Sequence, residues 1–324
     1  MHRLLLLFGF TLMIAMTLSA GGSITKSNNS LSIGIVQADA IIIPIAMYKN
    51  GIWFNYWPFE EEFVDVKLDK LSDIPSKWYL PYDSISTNWI YYDYYGNSSS
   101  AIVTKPILSR NNCDAQWGLL SDIKPIPITC DNCCPFPKIG FAFDSNVNPQ
   151  LLTSVINDSE EVATLELFVT KEFDNQEYTS ITETRKQSIV AIYDSVLIQI
   201  LSEKQRISFN KLFPIKIDSL TTVYYFEASK VYNVSESYQR IGGCNIISSF
   251  QGWVSRDIAT NKISYLQKTF DLTDCDMKGV SFLEPYYLLN IGNRSVLLAR
   301  ETGWESENYV VLEITREFIK NLVQ

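Results

Sequence analysis

Two polar residues within an apolar run, Gln37 and Asp39, are of types that bind ligands and transfer protons. The run extends from Ile33 to Ile45, and strand periodicity places both polar side chains on one of its faces. Because the opposite face is also apolar, we expect the strand to be buried on both sides. A buried carboxylate must be paired, hydrogen-bonded or protonated. Asp39 is therefore either a pocket acid with a raised pKa or a structural residue held by backbone amides or an arginine.

The aromatic segment that follows is a second candidate binding site, because Trp53 and Trp57 share one face of a predicted strand. Exposed flat rings beside amide and acidic side chains suit a ligand with apolar faces and hydroxyl groups, such as a sugar. The alternative is cross-strand aromatic packing in the core. The candidate ligand-binding residues are Gln37, Asp39, Trp53 and Trp57.

Two acidic groups near aromatic residues keep one class of enzyme open. A glycoside hydrolase needs a pair of carboxylates and no histidine. Spacing along the chain does not reveal the distance between carboxyl groups, and acidic runs are usually solvated surface. The residues are Glu60, Glu61, Glu62, Asp65 and Asp69 in the first group and Glu301, Glu305 and Glu307, around Trp304, in the second.

The only histidine, His2, belongs to a segment typical of a secretory signal peptide. A basic start precedes an apolar run from Leu4 to Ala20, and small residues follow. Removal of residues 1–20 would leave no imidazole, which excludes His-dependent triads and His-ligated metal sites. The alternative is an uncleaved anchor, for which the run is short. Phosphate-loop and dinucleotide-binding motifs are absent too, so neither a cofactor nor a metal is predicted.

Six cysteines follow the predicted leader, and an even number in an exported chain favours disulfides. They are Cys113, Cys130, Cys133, Cys134, Cys244 and Cys275. The simplest pairing joins Cys244 to Cys275 and places two bridges in the first group, with the connectivity there open. A four-thiolate zinc site and a redox pair of Cys130 with Cys133 are alternatives. The second Cys-x-x-Cys knuckle of a zinc ribbon is missing, and prolines surround the redox pair.

The rest of the chain has the pattern of many short strands and one helix. Apolar spacing from Ile189 to Leu201 predicts one amphipathic helix over 182–204, preceded by a capping box at 180–183. Short turns, Asn50-Gly51 above all, predict antiparallel pairing. The predicted strands are 33–48, 52–57, 63–68, 85–95, 101–108, 139–143, 162–169, 222–232, 246–255, 263–270, 286–291, 295–300 and 308–314, and 111–138 is predicted to be a cross-linked loop.

This pattern predicts a mainly β fold, an antiparallel sandwich or barrel-like sheets with one long amphipathic helix packed on a sheet. Three segments are expected along the chain. They are a signal peptide over 1–20, an N-terminal β-rich region with a Cys/Pro-rich loop over 21–150, and a helix plus antiparallel β meander over 151–324.

Charge and hydropathy narrow the functional classes further. The formal net charge is −9, which makes nucleic acid an unsuitable partner. After the leader no apolar run is long enough to cross a bilayer. We therefore expect a secreted or extracytoplasmic binding or structural module whose partner is a carbohydrate or another extracellular ligand. The alternative is a carboxylate-based glycoside hydrolase acting on extracellular glycans.

Overall fold

Antiparallel strands form most of the structure. The computed structural model describes residues 30–55, 70, 72, 86–110, 115–127, 137–144, 147–157, 159–187, 191–202, 205–234, 244–273, 279–303 and 306–322. Every strand pairing within these residues is antiparallel. The predicted mainly β, antiparallel fold class is confirmed.

Six of the first seven strands close into a barrel. These six are β1 (Ser30–Gln37), β2 (Ile41–Lys49), β4 (Asn88–Asp93), β5 (Ser98–Arg110), β6 (Ala115–Ser121) and β7 (Lys138–Phe143). Their order is β1-β7-β4-β5-β6-β2, and the pairing of β1 with β2 completes the circle. The short β3 (Ile52–Asn55) continues from β2 at the margin.

Alternation along the strands divides the barrel residues into an interior and an exterior set. On β1, Ile33 and Ile35 face outward and Val36 faces inward. The interior is filled by a buried apolar cluster, which leaves the barrel a packed core. Its members are Val36, Ile42, Met47, Trp89, Ala101, Val103, Leu119 and Ala142.

The predicted single strand over 33–48 is wrong, because a tight turn divides it into β1 and β2. The loop is Ala38-Asp39-Ala40, in which Ala40 has a φ of 71° and donates its N–H to the carbonyl oxygen of Gln37 at 3.0 Å. A turn ending in a residue with positive φ usually carries glycine there. This one does not, and both hairpin strands are buried on two faces, so the apolar run continues through the turn without a signal.

The predicted hairpin at Asn50-Gly51 is confirmed. Lys49 pairs with Ile52, and the two turn residues have φ values of 51° and 89°. Both positive φ values are typical of the two-residue turn that matches the twist of the flanking strands.

Two further sheets follow the barrel. The four-stranded sheet has the order β12-β11-β10-β9, and the five-stranded sheet has the order β16-β15-β14-β13-β8. The strands are β8 (Gln150–Leu151), β9 (Ser208–Lys216), β10 (Thr221–Tyr232), β11 (Ile246–Asp257), β12 (Lys262–Thr273), β13 (Phe282–Ile291), β14 (Arg294–Gly303), β15 (Ser306–Ile314) and β16 (Ile319–Asn321).

These elements stack in layers, each joined to the next by an apolar core. The outer face of the barrel packs on the five-stranded sheet, where Ile33 and Phe143 contact the cluster that contains Leu298. The other face of this sheet packs on the four-stranded sheet, and Leu297 and Trp253 belong to that core. Both sheets are therefore buried on two faces. Whether the predicted regions 21–150 and 151–324 fold independently stays a prediction.

Two helices cover the far side of the four-stranded sheet, and they correct the helix prediction. Helix α1 (Ser159–Gln187) packs Leu165, Val169 and Phe173 against that sheet, and α2 (Ala191–Ser202) follows it. The predicted helix over 182–204 instead takes in the end of α1 and all of α2, and the predicted strand over 162–169 is helical. Val, Thr and Phe favoured the strand interpretation.

Other local predictions differ in outcome. Strand β6 lies within the segment predicted to be a loop, and β9 was not predicted. The predicted strand 63–68 and the signal peptide lie outside the described residues.

Neither described helix has the length and apolar character to cross a membrane. Cys244, the one cysteine in the described part, is disulfide-bonded. Its pairing with Cys275 stays a prediction, because Cys275 is not described.

Candidate functional site

A cleft of about 480 Å³ opens between the two sheets of the sandwich. Strands β10, β11 and β12 line one side and β13 to β16 line the other. Pockets for small ligands typically have volumes of this order and combine an apolar surface with a few polar groups. The cleft has both, on different strands.

The polar groups project from β12, where Gln267, Thr269 and Asp271 alternate along one face. Phe270, between the last two, faces the opposite way and packs toward α1. The three polar side chains form no hydrogen bond within the described part of the chain. They therefore present an amide, a hydroxyl and a carboxyl group to the cleft.

Apolar side chains lie both beside the polar row and across the cleft from it. Trp253, on the neighbouring strand β11 of the same sheet, pairs with Gln267, is 4% exposed and packs against Tyr225 with ring centroids 5.0 Å apart. Three aliphatic side chains of the other sheet face the row: Val310, Leu312 and Ile319. The cleft is consequently amphipathic, with a polar row facing an apolar wall.

A hydrogen-bonded network holds one end of the cleft in place. The Tyr225 hydroxyl donates to Glu227 Oε1 at 2.7 Å and accepts from the Leu283 N–H at 3.1 Å, which joins the two sheets. Lys211 Nζ lies 3.2 Å from Glu227 Oε1 and donates to the Leu283 carbonyl oxygen at 3.3 Å. Burial raises the pKa of Glu227, and the Lys211 charge and the Tyr225 hydroxyl oppose that rise. Glu227 is thus engaged by contacts within the protein.

A second set of contacts fixes the loop before β13. The Gln251 amide donates to the carbonyl oxygen of Ser281, and the Ser281 hydroxyl donates to Glu301 Oε1 at 2.8 Å. Glu301 lines the cleft from β14. It belongs to the acidic group that the sequence offered as a candidate for hydrolase chemistry.

Asp271 has a different environment from Glu227 and Glu301. Burial raises its pKa, and no charged neighbour or hydrogen bond opposes the shift. A carboxylate in this state gains stability from any cation or hydrogen-bond donor that enters the cleft. Asp271 is therefore the side chain most open to a ligand.

The predicted polar pair lies in the barrel instead. Gln37 ends β1 and is 1% exposed, while Asp39 is half-buried in the turn before β2. Their expected placement on one strand face is wrong, because the turn separates them. Burial raises the pKa of Asp39, backbone hydrogen bonds and the Lys138 charge oppose the rise, and its Oδ1 has no hydrogen-bond partner among the described residues.

The predicted aromatic pair is not next to that polar pair. Trp53 pairs with Tyr48 across β2 and β3, with ring centroids 5.3 Å apart, and packs on the core between the barrel and the five-stranded sheet. Tyr48 opposes Leu31 at the start of β1, so Trp53 lies about 20 Å from the Gln37 end of the hairpin. Trp57 lies outside the described residues. A ligand role for these residues stays a prediction.

Sequence reasoning did not single out Trp253, Thr269 or Asp271. Two signals could have indicated them. Gly252 interrupts an apolar strand, and a Cβ there would lie 2.3 Å from the carbonyl oxygen of Gln267, so the close approach of β12 requires glycine. Polar and apolar residues also alternate from Thr269 to Leu272, but no sequence pattern shows that this face borders a cleft.

Within the described residues no group of three or more Cys, His, Asp or Glu is arranged to hold a metal ion. Comparison of the chain with protein-family models, with curated proteins and with solved structures finds no match.

Proposed function

We propose that this protein is an exported binding module that takes a small polyhydroxylated ligand of the carbohydrate class in the cleft between its two sheets. The observation that carries the proposal is the polar row of Gln267, Thr269 and Asp271, which faces an apolar wall on the other sheet. The wall is formed by Val310, Leu312 and Ile319. Sugars have apolar ring faces and hydroxyl rims, and such a cleft is complementary to both.

The state of the polar groups supports binding more than a purely structural role. A buried polar group without a partner costs roughly 1–3 kcal/mol. Glu227, Gln251 and Ser281 avoid that cost through partners in the protein. On β12, Gln267 and Thr269 are exposed and Asp271 is half-buried, so this row is hydrated, and the hydroxyl groups of a ligand can replace that water.

The export part of the proposal has separate support. The leader over 1–20 has the order of a secretory signal, and Cys244 is oxidised. Disulfides persist in oxidising compartments such as the extracellular space. We therefore place the protein outside the cytoplasm, where glycans are accessible to it.

The test is a glycan array followed by calorimetry on the full mature chain. We expect retention of a carbohydrate, and we expect Thr269→Val to weaken it by about tenfold through loss of one hydroxyl contact. Thr153→Val is the matched control, because Thr153 is exposed and lies outside the cleft. Retention of no glycan, or equal affinities for the two variants, would contradict the proposal.

A carboxylate-based glycoside hydrolase is the second candidate, and one observation favours it. Asp271 and Glu301 line the same cleft in different environments, since Ser281 donates to Glu301 and nothing in the described part donates to Asp271. Acid and base roles require such a difference. Incubation of the retained glycan with the protein separates the candidates. Shortened products that Asp271→Asn and Glu301→Gln both abolish would establish hydrolysis, and an unchanged glycan would leave binding.

A further inference from the structure

The charges around the cleft are one-sided. Asp271 and Glu301 are its carboxylates, and no Lys or Arg side chain lines it in the part of the chain that the structure describes. Whether these charges are already compensated depends on the cations of the neighbouring strands.

Three cations on the described strands around the cleft are engaged in ion pairs. Lys211 forms its ion pair with Glu227. Lys268, next to Thr269 on β12, faces the helices and forms an ion pair with Glu172 of α1. Arg300, next to Glu301 on β14, faces the barrel side of its sheet and pairs with Glu284.

Within the described residues no Lys or Arg pairs with Asp271, whereas Glu301 accepts a hydrogen bond from the Ser281 hydroxyl. From this arrangement we infer that the cleft selects carbohydrates that carry a protonated amino group, with Asp271 as the counter-ion. The inference rests on the proposed function and specifies the ligand class. An ammonium group offers charge together with N–H donors, and charge-assisted hydrogen bonds are about twice as strong as neutral ones.

The same charges act against other sugars. A uronic acid would bring a third carboxylate beside Asp271 and Glu301, and uncompensated like charges disfavour a partner. A neutral sugar keeps its contacts with the apolar wall and with Thr269 but gains no ion pair. Selectivity is thus expected in the order amino sugar, neutral sugar, acidic sugar.

The experiment measures calorimetric affinity for three β-1,4-linked oligosaccharides of equal length, built from glucosamine, N-acetylglucosamine and glucose. A mildly acidic buffer keeps the amine protonated. We expect the glucosamine oligomer to bind about tenfold more tightly than the other two. Asp271→Asn should remove this preference, so that the three oligomers bind with similar affinity. The control Glu317→Gln, an exposed carboxyl outside the cleft, should leave the preference unchanged.

The outcomes separate the inference from the function on which it rests. Equal affinity for the three oligomers, or a preference that survives Asp271→Asn, would overturn the inference and leave carbohydrate binding in place. Failure of every oligosaccharide on the array and in calorimetry to bind would overturn both.

Discussion

The interior of the barrel and the space between the two sheets are both lined by alternate residues of their strands. They differ in packing, because among the described residues only the space between the sheets contains a cleft. Inside the barrel, small and large side chains such as Ala101, Ala142 and Trp89 form one buried cluster. Between the sheets, the apolar core around Leu297 continues into a network of Tyr225 and Glu227 and then into an open cleft. The side chains inside the barrel pack against one another, whereas the two stacked sheets separate toward one side.

The two regions also differ in how accessible their unpaired polar groups are to water. In the packed regions, Trp89 Nε1 donates to the Ser86 carbonyl oxygen at 3.0 Å, whereas the buried Trp53 Nε1 and Asp39 Oδ1 have no hydrogen-bond partner among the described residues. The polar row of β12 also lacks partners, but its Gln267 and Thr269 are exposed, on a strand held by its pairing with β11. A rigid strand that presents unsatisfied groups to a cavity is what a binding site requires.

The largest expected effect compares one leucine from each region. Leu119→Ala inside the barrel should destabilise the protein by about 4 kcal/mol, because it removes a side chain that is 0% exposed and leaves an enclosed cavity. Leu312→Ala at the cleft should cost only about 2 kcal/mol, since water can occupy the space it leaves. Urea unfolding followed by circular dichroism measures both. Equal costs would show that the cleft is closed in solution.

The next comparison uses two lysines on opposite faces of the four-stranded sheet. Lys230 of β10 is 4% exposed and lies 2.6 Å from Glu177 and 2.8 Å from Asp174 of α1. Lys230→Met should cost about 3 kcal/mol, because it leaves Glu177 buried without its cation. The side chain of Lys211 is 28% exposed. Lys211→Met should lower the free energy of unfolding by less than half as much as Lys230→Met does, because water reaches the ion pair of Lys211.

Combining Lys230→Met with Glu177→Gln is the control for this comparison. The double variant should recover most of the stability, because neither charge then remains uncompensated. Thermal unfolding of the two single variants and the double variant decides the point. A double variant no more stable than Lys230→Met would show that lost packing, and not the buried charge, causes the effect.

A smaller effect appears in the pH dependence of stability. The pKa of Asp271 is raised in the folded state, so the contribution of this group to stability is most favourable below the unfolded pKa and is lost as pH rises through the folded pKa. Asp271→Asn should therefore match the wild type at low pH and become more stable than it above about pH 4.

Glu284 supplies the opposite case in the same experiment. Burial raises its pKa, but the hydrogen bond and charge of Arg300 outweigh that effect and leave the pKa lowered. The stabilisation from Glu284 is present above the pKa of the unfolded state and is lost as pH falls through the pKa of the folded state. Glu284→Gln should therefore be less stable than the wild type at neutral pH. Parallel pH profiles of melting temperature for the two variants would contradict this assignment.

The smallest effect concerns the turn that divides β1 from β2. Ala40→Gly should stabilise by roughly 0.5 kcal/mol, because alanine is strained at a φ of 71° and glycine is not. Ala38→Gly is the matched control in the same turn, equally buried but without positive φ, and should destabilise by about 1 kcal/mol. Shifts of the same sign in the two melting temperatures would exclude backbone strain at Ala40.

Much of the fold could be predicted wherever the signal is local. The Asn50-Gly51 turn has the residue types that its positive φ values demand, and the antiparallel meander from Thr222 to Ile314 follows from alternation and short turns. The Ala38–Ala40 turn has no such residues, so only tertiary structure reveals it. Helix α1 was missed although acidic residues open it and Arg185 and Lys186 close it.

The candidate site could be predicted only in its chemistry. Aromatic rings and carboxylates were expected, and Glu301 lies in the cleft, but Trp253 and Asp271 come together through the pairing of β11 with β12 and the stacking of two sheets. Contacts between residues far apart in the sequence produce no periodic pattern from which they could be predicted. Polar or bulky residues within apolar runs suggested a site at Gln37, Asp39 and Trp53. The structure places these residues at the two ends of a hairpin.

The five-stranded sheet has one consequence for how the chain can be dissected. Its barrel-facing side carries Leu289, Val296, Leu298 and Val311, all nearly inaccessible to water. A fragment starting at residue 150 would uncover this greasy surface and should aggregate when expressed alone. The barrel thus covers the apolar side of the five-stranded sheet, and we expect residues 150–324 to need it in order to stay soluble.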